Sequence, residues 1–276
     1  MSVDRSEARV ITITSGKGGV GKTTLAANLG AALAMRGQRV VVVDADVGLR
    51  NLDVMLGLEN RIVYDLVDVI EERCRLRQAL VRHKQLSKLF LLPAAQTRDK
   101  TAVQVEDMVA ICGELAEDHD IVLIDSPAGI EWGFRYALAP ANEVLIVTNP
   151  EVPAARDADR VIGLIQAEDR GTGCLQPRLV INRVKPNLVD RGEMLSIADV
   201  VELLAIELIG VVPEDQDILI AANRGQPLAM ARDGSQAGPA FHNIARRMLG
   251  EDVAFHPLRE PGMFERFLRF VSPERS

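Results

Sequence analysis

The chain predicts an α/β fold, a mostly parallel sheet with helices on both faces, and three observations predict it. Short β-branched runs alternate with helical stretches from residue 10 to about residue 212; the first run leads at once through a glycine-rich loop into a helix; and acidic residues close two of the runs. Unbroken apolar runs without polar alternation suit strands buried on both faces, as parallel strands are. Helical segments between them read as parallel crossovers. Ligands in such sheets sit at the carboxyl ends of the strands, so the residues just after each strand are where chemistry is sought.

The first run, residues 10–14 (Val-Ile-Thr-Ile-Thr), reads as a buried strand. Behind it stands Gly16-x4-Gly21-Lys22-Thr23, a phosphate-binding loop with a second lysine, Lys17, embedded in it. Glycines accept positive φ and let backbone N–H groups close around anionic phosphates. Residues 25–35 follow as an alanine-rich helix stopped by Gly37. Strand, glycine loop and helix come in the order the mechanism needs: the helix N-terminus faces the phosphates, Lys22 reaches the β- and γ-phosphates, and Thr23 ligates Mg2+. Nucleoside triphosphate binding is thus the first functional expectation.

Further strands are expected at residues 39–43, 89–92, 121–124, 144–148, 178–181 and 208–212, with helices at 103–117 and 154–168. The second strand runs into Asp44-Ala45-Asp46 and the fourth into Asp125-Ser126-Pro127-Ala128-Gly129. Asp125 ends its apolar strand as a Mg2+-supporting carboxylate does, and Asp44 is placed to hold a metal-bound water. Asp46, at the start of a glycine-containing loop, is placed to orient an attacking water. Any single strand-terminal Asp can also be a cap or turn residue; three of them with a phosphate loop favour the metal and hydrolytic reading.

With 276 residues, no internal repeat and no low-complexity linker, residues 1–255 read as a single domain. The net charge of −7 argues against a protein that coats nucleic acid, and no nucleic-acid partner is expected. Residues 1–7 carry no apolar signal-peptide core and no apolar run is long enough to span a bilayer, so a cytoplasmic protein is expected. Cys74, Cys112 and Cys174 form no C-x-x-C pair, and His83, His119, His242 and His256 are scattered, so neither type points to a metal centre.

These residues carry a resemblance. Lys17 makes the loop the deviant Walker A form, and the chain resembles the MinD/ParA family of P-loop ATPases, looking more like its MinD branch, which positions bacterial cell division. The likeness lies in residues 16–24, 44–53, 92–100, 125–131, 148–152, 191–195 and 210–216, over nearly the whole chain. It implies an ATPase that uses Mg2+, with ATP held by Gly16, Lys17, Gly18, Gly19, Val20, Gly21, Lys22, Thr23 and Thr24. It further implies that Lys17 crosses an ATP-bridged homodimer to the partner's phosphates, that Asp46 positions water, that Asn182 holds adenine, and that Pro213 belongs to the nucleotide site. Asn51, Glu151, Arg156 and Asp157 resemble the surface where a MinC-type inhibitor and a MinE-type activator compete. The output implied is placement of the septum by bringing an inhibitor of FtsZ assembly to the membrane.

Residues 256–276 read as a linker and a membrane-targeting tail. On a helix at about 100° per residue, Met263, Phe264, Phe267, Leu268, Phe270 and Val271 fall within an arc of roughly 160°, with Glu265, Arg266 and Arg269 outside it. One such tail binds a lipid surface marginally, and two held in a dimer bind far better through effective concentration. A terminal helix of this kind can also simply dock on its own domain. The expected location is the cytoplasm, peripheral on the inner face of the cell membrane. The rivals are a ParA-like DNA-segregation ATPase, which calls for a basic face and no Phe-rich tail, and a non-hydrolysing ATP-gated scaffold, which has no need of Asp46.

Overall fold

Strands β1 (Arg9–Thr14), β2 (Val40–Asp44), β3 (Val81–Arg82), β4 (Leu89–Leu92), β5 (Ile121–Asp125), β6 (Glu143–Thr148), β7 (Pro177–Val184) and β8 (Glu207–Pro213) form one sheet in the order β3-β4-β2-β5-β1-β6-β7-β8. This is seen in a computed structural model, which describes residues 8–98, 102–167, 175–231 and 234–255. The tail residues Met263, Phe264, Phe267, Leu268, Phe270 and Val271 lie outside the described residues, as do Cys174 and His256. All pairings are parallel except β3 with β4. That two-residue antiparallel edge has no counterpart in the sequence reading, because so short a strand leaves no periodic signal.

Alternate side chains of each central strand go to opposite faces. Ile11, Val40, Val42, Ile121 and Leu123 pack with helices α1 (Lys22–Met35) and α11 (Ala237–Met248). Val41, Val43, Val122 and Ile124 pack on the other face with α5 (Val105–Asp118) and α6 (Trp132–Leu138). Farther along that face, Val144, Ile146, Leu179 and Ile181 meet α7 (Val152–Ala167) and α9 (Ile197–Leu204). Each fully buried Val, Leu or Ile side chain contributes about 1.5–3 kcal/mol relative to exposure, so the two-faced core explains why the strands read as unbroken apolar runs. The shorter helices are α2 (Leu52–Met55), α3 (Leu66–Ile70), α4 (Leu76–Ala79), α8 (Pro186–Asp190) and α10 (Gln216–Asn223). Helix α1 lies so close to the sheet at Gly30 that an added Cβ would sit 2.7 Å from Val42 Cγ2.

At the amino ends of the strands the charges are paired. Arg9 and Arg178 both bond to the carboxylate of Glu143, Arg9 Nη2 at 2.8 Å, and Arg9 Nη1 also donates to the carbonyl of Met248 at the end of α11. Asp120 accepts the backbone N–H of Arg39 at 2.7 Å. β1, β6, β7 and α11 are thereby tied together away from the carboxyl ends.

Candidate active site

The loop between β1 and α1 is shaped by glycine and by close neighbours. Gly21 caps α1 with φ 101°, in the left-handed region that favours glycine, and supplies no side-chain hydrogen bond to the first amides of the helix. No acidic residue stands in its first turn either, so the N–H groups and positive end of a 14-residue helix remain available to an anion. A Cβ at Gly16 would strike the backbone carbonyl of Asp157 in α7, and one at Gly21 would strike the side-chain amide of Asn182. Asn182 itself is buried on β7 and donates Nδ2 to the carbonyl of Val20 at 2.7 Å, bracing the loop from below.

The two lysines occupy opposite environments. Lys22 is buried, and its Nζ donates to Ser15 Oγ at 3.1 Å, while Ser15 Oγ donates to the carbonyl of Lys17 at 2.8 Å. Burial pulls the Lys22 pKa down, against the opposing charges of Asp125 and Asp46. Lys17 is exposed at the rim with Gly18 and Gly19, whereas Val20 is buried and Thr23 and Thr24 are half-buried.

Asp44 and Asp125 end adjacent strands as direct register partners, 1% and 2% exposed. Each therefore belongs to its strand, one residue farther than the apolar runs reach. Burial pushes both carboxyls well up; for Asp44 the charge of Asp125 adds to this, against hydrogen bonds from the N–H groups of Asp46 and Leu52 at 3.0 and 3.3 Å. For Asp125 a hydrogen bond from Thr23 and the charge of Lys22 oppose the rise. Among the described residues Asp125 Oδ1 and Thr14 Oγ1, both buried, find no hydrogen-bond partner. Hard oxygen donors of this kind fit Mg2+, which binds through one or two carboxylates with water and phosphate completing its shell. Among the described residues no group of three or more His, Cys, Asp or Glu side chains converges, the arrangement a wholly protein-bound metal would call for.

The Asp44–Ala45–Asp46 turn is held at its middle peptide. Ala45 N–H donates to the carbonyl of Asp125 at 3.0 Å, and the Ala45 carbonyl accepts the hydroxyl of Tyr136 in α6 at 2.6 Å. Beyond it, Leu49 N–H returns to the Asp46 carbonyl at 3.2 Å, Gly48 N–H bonds to Ala95 at 2.8 Å, and Arg50 pairs with the buried Asp53 at 2.9 Å. The loop after β5 approaches the phosphate loop, with Ala128 Cβ 3.7 Å from the Cβ position of Gly18. Tyr136 carries no motif, and its partner lies 91 residues away, so sequence reasoning had no signal for it.

Pro213 ends β8 opposite Val184, next to the Asn182 bulge of β7, and Glu214 N–H bonds to the Val184 carbonyl at 2.9 Å. Glu151 and Arg156 are exposed at the start of α7 after β6, and Asp157 is half-buried against Gly16; Asn51 is exposed before α2. The expected nucleotide and partner residues thus all lie at the carboxyl edge of the sheet.

Residues 11–228 match the model of the CobQ/CobB/MinD/ParA nucleotide binding domain. The chain is 54% identical to the septum site-determining protein MinD of Synechocystis sp. over 247 residues, 90% of this chain and 91% of that protein. Among solved structures, MinD in a MinC:MinD cell division protein complex of Aquifex aeolicus is 46% identical with a TM-score of 0.83, covering 91% of this chain and 99% of that one. The septum site-determining MinD of Pyrococcus horikoshii OT3, complexed with Mg-ADP, is 28% identical with a TM-score of 0.78 over 87% of this chain and 96% of its own.

Proposed function

The chain belongs to the septum site-determining MinD ATPases of the CobQ/CobB/MinD/ParA nucleotide-binding family, and from that premise we propose that it acts as a membrane-cycling switch. ATP makes a homodimer, the paired tails of residues 256–276 attach it to the inner face of the cell membrane, and hydrolysis releases it. On the membrane it recruits a MinC-type inhibitor of FtsZ assembly, and a MinE-type activator triggers hydrolysis, both through the surface of Asn51, Glu151, Arg156 and Asp157. No described helix is long and apolar enough to cross a membrane, so attachment in this reading is peripheral.

The observation that supports the reading best is the uncapped N-terminus of α1, with buried Lys22 set beside the buried pair Asp44 and Asp125. A cluster this short of counter-charge suits a ligand that brings both signs, a triphosphate with its Mg2+. Bound Mg2+ supplies the positive charge that offsets the phosphates. The loop amides and Lys22 then stabilise the transferring phosphoryl group, Thr23 and Asp125 orient the metal side, and Asp44 holds water there through its oxygens. Asp46 orients the attacking water. Lys17, already at the rim, reaches the partner's phosphates in the dimer, and Asn182 and Pro213 bound the adenine.

Asp46→Ala tests the hydrolytic part. It should bind ATP as the parent does yet turn over at least about tenfold more slowly, because loss of a water-positioning group acts on the transition state more than on the ground state. It should also accumulate on phospholipid vesicles in ATP. Turnover at the parental rate would move the hydrolytic role elsewhere.

A further inference from the structure

Tyr136 is fully buried, and its hydroxyl is spent on one bond, to the carbonyl of Ala45 at 2.6 Å. Ala45 stands between Asp44, assigned above to the metal side, and Asp46, assigned to the attacking water. Its other peptide group, the N–H, is fixed to the Asp125 carbonyl at 3.0 Å. With both sides of one residue held, the direction in which the chain leaves the sheet at Asp46 is set by two hydrogen bonds. One comes from the sheet itself and the other from a side chain on α6.

Helix α6 is a firm base for that side chain. Thr12 Oγ1 on β1 donates to the Ala137 carbonyl at 2.6 Å, and Trp132 Nε1 donates to the Val103 carbonyl at 3.0 Å. Gly133 packs against Pro127, leaving 2.6 Å between an added Cβ and Pro127 Cγ, so the helix sits directly against the loop that follows Asp125. Burial keeps the Tyr136 phenol protonated, its pKa raised further by the charges of Asp46 and Asp44, so it remains a donor throughout the physiological range. The bond lies away from water, where an unmet carbonyl is costly.

We propose that Tyr136 is the positioning residue for hydrolysis: through the Ala45 carbonyl it latches the Asp44–Asp46 turn to α6, and so to the loop after Asp125. The proposal rests on the hydrolytic reading of Asp46 given above. It assigns Tyr136 no contact with nucleotide.

The test is steady-state ATPase on the full chain for Tyr136→Phe, Glu143→Gln, Asp46→Ala and the double variant Tyr136→Phe/Asp46→Ala, with thermal melts of each. Tyr136→Phe removes one hydroxyl and keeps the ring; kcat should fall roughly tenfold while KM for ATP stays within about twofold. Glu143→Gln weakens the pairing with Arg9 and Arg178 at the amino ends of the strands, the opposite end of the sheet from the Ala45 turn. It should lower the melting temperature about as much as Tyr136→Phe and leave kcat near the parent. The double variant should be no slower than Asp46→Ala, since the latch acts through that residue. If Tyr136→Phe keeps parental kcat while Asp46→Ala is slow, the latch is wrong and the hydrolytic reading stands. Equal losses of kcat in Tyr136→Phe and Glu143→Gln, or a rise in KM with kcat kept, also overturn it. Parental turnover in Asp46→Ala removes the reading on which the latch depends.

Discussion

At the amino ends of the strands Glu143 receives two arginines, Arg9 and Arg178, whereas at the carboxyl ends Asp44 and Asp125 lie buried side by side and a single lysine, Lys22, acts on Asp125. The pKa directions follow. Burial pushes the Glu143 carboxyl up, but hydrogen bonds and charge from Arg9 and Arg178 outweigh it and hold the group below its ordinary value. Asp44 and Asp125 have no such excess of donors and rise above theirs. One sheet thus keeps a satisfied end, which holds the fold together, and a costly end, which is relieved when a ligand supplies charge.

Variants at the costly end should cost function. Lys22→Ala takes the buried ammonium away from the loop, and nucleotide affinity measured by titration calorimetry should fall about 100-fold, the equivalent of roughly 3 kcal/mol for a buried charge-assisted contact. Retained affinity would mean that the loop amides suffice without it. Asp125→Asn removes a buried charge, and the two ends should then part most clearly. ATP turnover should fall by roughly one to two orders of magnitude, while the nucleotide-free protein becomes more stable at pH 8 by about 1–3 kcal/mol. The sign follows from the raised pKa: what this carboxyl contributes to stability is present below its ordinary value of 3.8 and is lost as pH rises through about 7, so the gain should shrink on melting at pH 5. A less stable variant at pH 8 would show that Asp125 is already satisfied without ligand.

At the satisfied end the effects should be smaller and reversed. Glu143→Gln should destabilise by about 1–3 kcal/mol, read in denaturant unfolding, and leave ATP turnover per folded molecule unchanged. Because Glu143 is held below its ordinary 4.5, its contribution is present above pH 4.5 and lost as pH falls through the folded value, so parent and variant should converge in acid. A turnover defect in Glu143→Gln would erase the distinction between the two ends.

How much of this was legible in the sequence depends on range. The loop, the seven longer strands and the positions of Asp44, Asp46 and Asp125 could be read because each is a local pattern: glycine spacing, an apolar run, an acid where the run stops. Helix α1 starts at Lys22, three residues before its alanine-rich stretch, since the first turn is recruited by the loop rather than by packing. What escaped are contacts between distant segments: Asn182 under the Val20 carbonyl, Gly16 against Asp157, and Tyr136 on Ala45. Each joins a residue with no motif of its own to a partner chosen by topology, so only the folded chain displays it.

The central claim, that the costly end is a switch whose nucleotide state sets attachment to a membrane, is tested most directly by sedimentation with phospholipid vesicles in ATP, in ADP and without nucleotide, for the parent and for Phe267→Glu. The parent should pellet with vesicles in ATP and stay in solution otherwise. Phe267→Glu, which places a carboxylate in the apolar arc and forfeits about 1.5–3 kcal/mol of burial, should stay in solution while dimerising in ATP. Pelleting of the parent regardless of nucleotide, together with loss of nucleotide binding in Phe267→Glu, would contradict the account and return the tail to a helix docked on its own domain.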